Sequence, residues 1–195
     1  MRHLLRIAFV AAPVALCSSP VLAHPGHDAG QTALQGFLHP LSGVDHVLAM
    51  LAVGLLAFSL GGRALWTVPL AFVLMMAVGG VLGAAGVELV GVEQGIAASV
   101  LVLGVLLVVA ARLPLILAVL LAGAFAVFHG AAHGLEGAAG GAVSASYFAG
   151  FLAATLGLHC AGIALGAFTA LEKNGLLQRA TGAALGFAGL MMIIG

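Results

Sequence analysis

The sequence has very little charge: six basic and six acidic side chains in 195 residues, or 6% of the chain. A water-soluble domain carries roughly a quarter charged residues, because its surface must face water. So few ionic groups cannot cover a soluble globule of this size, which excludes a soluble enzyme or binding module. Lysine occurs once, at Lys173, and no glycine-rich loop ends in Gly-Lys-Ser/Thr. ATP hydrolysis by a phosphate-cradling loop is therefore excluded. Basic residues form no patch, which removes nucleic acid as a partner. Cysteine occurs only at Cys17 and Cys160, too few for a disulfide framework. Ten-residue segments of alternating polarity, the mark of a membrane barrel, are also missing.

What is abundant is hydrocarbon. Hydrophobic residues make up 63% of the chain, and the mean hydropathy is +1.26. Apolar runs of roughly 20 residues recur, the length that crosses about 30 Å of bilayer as helix. The fold class that follows is all-α, a polytopic helical membrane bundle.

Residues 1–23 read as a cleavable signal peptide rather than a span. Arg2 and Arg6 form its positive start, Ile7 to Leu16 its apolar core, and Ser18 to Ala23 a small-residue end. A lipid anchor on Cys17 is the rival reading; Leu16 stands against it, since that processing favours a small residue before the cysteine. Cleavage after Ala23 leaves residues 24–195 as one transmembrane domain, with His24 outside the cytoplasm and Cys160 as its sole cysteine. The mature chain then holds four basic and six acidic residues.

Six transmembrane helices are expected, at about 42–60, 65–86, 94–111, 114–133, 145–169 and 177–195. With the N-terminus outside, Arg63, Arg112, Lys173 and Arg179 all fall in cytoplasmic loops, while Glu88, Glu93 and Glu136 fall in outer ones. That is the distribution expected of a multi-pass protein of the bacterial inner membrane. Glycines at spacings of three and four (Gly79, Gly83 and Gly86; Gly162 and Gly166; Gly182, Gly186 and Gly189) read as stripes for close helix packing.

Ionisable side chains inside spans are costly, so each is a functional candidate. One cluster runs from His39-Pro40 through Asp45-His46 to Met50, and a second joins His129, His133 and Glu136. A third pairs Thr155 with His159 inside the fifth span. Imidazoles with carboxylates in an otherwise uncharged chain point to a transition metal: nickel, copper, zinc or iron suit neutral imidazole. His129 and His133, four apart, share one helix face and could grip one ion. Counting about 1.5 Å per residue puts His46 and His129 at a similar depth, near the outer face. The same ruler puts His159 about 21 Å down, more than 10 Å deeper, so either the fifth span is broken or tilted near Gly150 and Gly157 or His159 serves a second station on the path.

Each residue also has a structural reading. Ser42-x-x-Asp45 fits a capping box, with Asp45 at the positive helix end. His129 and His159 could be hydrogen-bonded packing residues, and Glu136 a solvated loop charge. Met50 and Cys160 read as packing residues, and Glu88 and Glu93 as loop charges. His24 and His27 are either a flexible tail or an outer metal-capture site.

The clusters resemble the HupE/UreJ family of membrane proteins associated with hydrogenase and urease gene sets. The likeness rests on His39-Pro40, Gly43, Asp45-His46, Leu48-Ala49-Met50 and Val53-Gly54; on Phe128-His129-Gly130, Ala132-His133-Gly134 and Glu136; and on Thr155, His159 and Gly162. It covers nearly all of the mature chain. It implies secondary uptake of nickel, with cobalt in some members, by a signal-bearing six-span protein without nucleotide or catalysis. The metal residues it implies are His39, Asp45, His46, His129, His133 and Glu136, with His159 from the fifth-span pattern. Hydrogenase or urease maturation would be the partner process. Other nickel/cobalt permeases carry H-x-x-x-x-D-H, whereas five residues separate His39 from Asp45 here, so their ligand geometry does not transfer. Two other classes fit the same residues: an intramembrane metal-dependent hydrolase, and a metal-binding accessory protein that does not transport.

Overall fold

The structure is a computed structural model that describes residues 32–139 and 144–195. The proposed signal peptide, Cys17, His24 and His27 lie outside the described residues. Within them the chain forms seven helices: α1 Ala33–Ser42, α2 Val44–Leu60, α3 Ala64–Ala84, α4 Val92–Val108, α5 Leu115–Ala139, α6 Ala145–Thr169 and α7 Leu176–Ile194. No strand occurs among the described residues. A backbone in hydrocarbon must satisfy its own N–H and C=O groups, and a helix does this within one segment.

Helices α3, α5, α6 and α7 are long and apolar enough to cross a bilayer. The pair α1 and α2 passes the same test as one unit but is bent by 87° at Gly43. Helix α4 is apolar and 17 residues long, which gives it a length of about 25 Å. The outer surface carries large apolar side chains, among them Trp66, Leu74, Ile116, Leu120 and Phe187. Among the described residues the buried polar ones are instead His46, Ser99, His129, Thr155, His159 and Thr169. Apolar outside and polar within is the arrangement of a multi-pass membrane protein.

Several boundaries differ from expectation. Helix α5 continues to Ala139 rather than stopping near residue 133, so Glu136 sits on a helix, not in a loop. Arg179 lies in the first turn of α7 rather than before it. The break that separates α1 from α2 was not foreseen. Helix α1 starts with a true capping box: Thr32 accepts from the Gln35 N–H and the Gln35 side chain accepts from the Thr32 N–H. The Ser42-x-x-Asp45 box does not form. Ser42 Oγ instead donates to the His39 carbonyl at 2.6 Å, and Gly43 precedes α2 without a side-chain cap. Gly86 packs against nothing; it stops α3, with φ +79° and the next N–H bonded to Leu82 O, as a left-handed glycine after a helix does.

Helix α3 packs chiefly on α5, α4 on α7, and α6 on both α2 and α1. The backbones touch at all four of these contacts, and two of them position the candidate site. A Cβ on Gly130 would collide with the Met76 carbonyl, and one on Gly36 with the Tyr147 carbonyl. The first contact holds α5, with His129 and His133, against α3. The second lays α1, with His39, across the start of α6. Ser59 at the end of α2 accepts from Gln178 at the start of α7 at 3.1 Å. The basic residues Arg63, Lys173 and Arg179 therefore gather at the end of the bundle away from His39.

Candidate metal site

Three ligand atoms from two helices meet at one end of the bundle. His39 Nε2 on α1 lies 3.0 Å from both His133 Nδ1 and Glu136 Oε2 on α5. His133 Nδ1 is 3.2 Å from the same carboxylate oxygen. His133 and Glu136 are three residues apart, so they share a helix face. His39 reaches them only because α1 turns across α6. These three form the metal-competent group among the described residues. An ion about 2.0–2.1 Å from each donor would stand about 1 Å off their plane, leaving further positions open.

The group continues inward. His133 Nε2 lies 3.2 Å from His46 Nδ1, and His46 Nε2 lies 3.3 Å from Thr155 Oγ1. Thr155 is also 3.8 Å from the Met76 sulfur. The His46 ring stands 5.3 Å from that of His129, edge to face. His129 Nε2 is 3.0 Å from Ser99 Oγ. Phe151 packs against the rings of His133 and His46, at 4.8 and 5.5 Å. Phe72 packs against His129 and His159. Exposure falls along this file, from 59% for the Glu136 side chain to 1% for His46 and 0% for His159.

Counting protons assigns the tautomers. Thr155 gives its single proton to the Phe151 carbonyl at 3.0 Å, so toward His46 it can only accept. His46 Nε2 then carries the ring proton and its Nδ1 accepts from His133 Nε2. That leaves His133 Nδ1 as a bare lone pair, 3.2 Å from a carboxylate oxygen. Two electron-rich atoms at that distance repel unless a positive centre lies between them. The His39 Nε2 proton can supply it, or a cation can, once His39 carries its proton on Nδ1. A cation held at that vertex would therefore exclude the proton.

Asp45 stands outside this ring of donors. Its Oδ1 accepts the His46 N–H at 2.7 Å, one of the free N–H groups of the first turn of α2. It lines a cavity of about 400 Å³ with Glu93, Gln94 and Met192. Glu93 also lines a neighbouring cavity of about 380 Å³ with Glu88 and Glu136. His129 and His133 face different partners: Ser99 bonds one ring, while His39 and His46 bond the other. Met50 is fully buried in the apolar core, and Cys160 is exposed.

The depth ruler misplaced His159. Thr155, one helical turn before it, is bonded to His46. His159 therefore lies about 6 Å along α6 from that level, not more than 10 Å below it. The ruler assumed that α2 and α6 begin at one height, but α6 extends further out, where it packs on α1. Ser99, Phe151, Met76 and Phe72 were missed. Ser99 had a signal, as the one polar residue between Gln94 and the end of α4. The other three are apolar residues among many.

These features define a multi-pass helical membrane protein whose described histidines lie together inside the bundle, three of them in one bonded file. The chain belongs to the HupE / UreJ protein family, whose sequence profile matches residues 12–192. It is 44% identical over 173 residues to Protein HupE of Rhizobium leguminosarum bv. viciae, covering 89% of this chain and 90% of that one. No solved structure matches it.

Proposed function

We propose that this protein is a secondary transporter that carries a divalent transition-metal ion inward across the bacterial cytoplasmic membrane. Nickel is the first substrate and cobalt the second. The observation that carries the reading is the unbroken file from Glu136, His39 and His133 through His46 to Thr155. A metal bound only for structure would need no continuation into the bundle. Imidazole with one carboxylate suits borderline ions such as nickel and cobalt.

His133 and His46 each have one nitrogen facing the triangle side and one facing further in. His133 offers Nδ1 to the triangle and Nε2 toward His46, so an ion can pass from one side of a ring to the next without meeting bare hydrocarbon. Movement needs no nucleotide. A divalent ion entering through about 100 mV, inside negative, gains about 4.6 kcal/mol. Ligands must be deprotonated to bind, so a proton arriving at the triangle displaces the ion.

The six-span reading takes α2 to α7 as the crossings, with α1 at the outer mouth. The basic residues at the Ser59–Gln178 end support a cytoplasmic placement of that end. The membership of the family, with the name HupE on its relative, supports supply of metal to hydrogenase or urease maturation.

Purified protein in liposomes with an imposed inside-negative potential tests the reading. Nickel should accumulate, cobalt less, and zinc and copper least. Metal binding in detergent without flux in liposomes would make it an accessory binder instead. Hydrolysis of a lipid or peptide substrate would make it an enzyme.

A further inference from the structure

Below the triangle, three buried ring nitrogens have no hydrogen-bond partner: His129 Nδ1 and both nitrogens of His159. Buried polar atoms without partners are rare, and each calls for an explanation. For His129 the chemistry of the free atom can be read off. Ser99 gives its hydroxyl proton to the Ile96 carbonyl at 2.6 Å, so its oxygen can only accept from His129 Nε2. The ring proton therefore sits on Nε2, and Nδ1 is a bare lone pair inside the bundle. His159 is fully buried, and its neutral ring likewise offers one lone pair. The Phe72 ring packs against both, with centroids 5.8 Å from His129 and 5.2 Å from His159. His159 shares a face of α6 with Thr155 and Phe151, at spacings of four, which continues the line of the outer file.

We propose that His129 and His159 form an inner station for a borderline divalent metal ion, separate from the outer triangle and reached past Thr155 and Met76. The direction of travel rests on the transport reading; the binding of a second ion does not. No carboxylate is among the buried residues of the described chain. Two neutral imidazoles hold a dication less firmly than the triangle, which has Glu136. A weaker site further in is what release toward the cytoplasm requires, since conduction needs binding loose enough to leave.

Cobalt(II) is the probe, with the full-length protein in detergent, its bound equivalents counted by equilibrium dialysis and its ligand-field absorption recorded. The wild type should bind two equivalents, the second more weakly. His159→Leu fills the same volume and removes two unpaired nitrogens, so the protein should fold. It should bind one equivalent, with affinity at the triangle unchanged, and cobalt flux in liposomes should fall about tenfold. His129→Gln, whose amide can still donate to Ser99, should also lose the weaker equivalent. If His159 only packs, His159→Leu will melt higher than wild type, bind as many equivalents and transport as fast, which overturns the inner station and leaves the transport reading standing. A wild type that binds two equivalents and His159→Leu one, with no flux from either, would support the station and sink the transport reading.

Discussion

His133 Nε2 lies 3.2 Å from His46 Nδ1, while Nδ1 of the same His133 ring faces Glu136 at 3.2 Å. One imidazole thus joins an exposed carboxylate to a buried histidine. Its removal should do more harm than that of any other residue of the file. His133→Ala should abolish high-affinity nickel binding and reduce flux to the level of empty liposomes, at normal insertion. His46→Ala should keep the triangle's binding within about tenfold but lose flux, because the triangle survives and the next ring does not. Calorimetric titration beside liposome uptake checks both; wild-type flux in either variant would break the file as a path.

Asp45 is predicted to act through charge and the local backbone. Asn at this position can still accept the His46 N–H but loses the negative charge beside Glu93. Asp45→Asn should leave nickel binding at the triangle within about threefold, and lower uptake most at low metal and low salt, where a charged mouth concentrates cations. Uptake measured across ionic strength decides. Loss of equilibrium binding itself would place Asp45 among the ligands.

Close helix contact should be as necessary as the ligands. Gly130→Ala forces α3 and α5 apart, since a Cβ there meets the Met76 carbonyl; overpacking of this kind costs about 1–3 kcal/mol. Gly36→Ala should lift α1 and lower nickel affinity as far as His39→Ala does. Gly157, with open space around it, is the control: Gly157→Ala should match or slightly exceed wild-type stability, by up to about 1 kcal/mol. Thermal unfolding in detergent with nickel titration distinguishes the three.

Orientation is testable through cysteine labelling in a Cys160→Ala background. A probe at Glu88 should react with an impermeant reagent from outside the cell, and one at Lys173 only after permeabilisation. The reverse pattern would invert the direction assigned to transport.

The sequence alone was enough for what depends on one helix at a time. Continuous apolar runs select helices, because hydrocarbon leaves the backbone no other partner, and the six long runs match α2 to α7 within three residues except at the end of α5, which runs six residues further. Histidines and carboxylates in such a chain stand out as chemistry, because their burial is costly. His39, His133 and Glu136 were all legible as candidates for that reason.

Which of them meet was decided by tertiary structure. His39 reaches Glu136 through the 87° bend at Gly43 and the α1–α6 contact at Gly36, neither of which leaves a mark in hydropathy. Asp45 and His46 are neighbours in the chain, yet a helix points successive side chains about 100° apart, so one faces a cavity and the other the file. His129 and His133 share a face but differ in neighbours, and Ser99 on another helix turns one ring away. Spacing along a helix states which direction a side chain leaves it; only the packing of a second helix states what that side chain finds there.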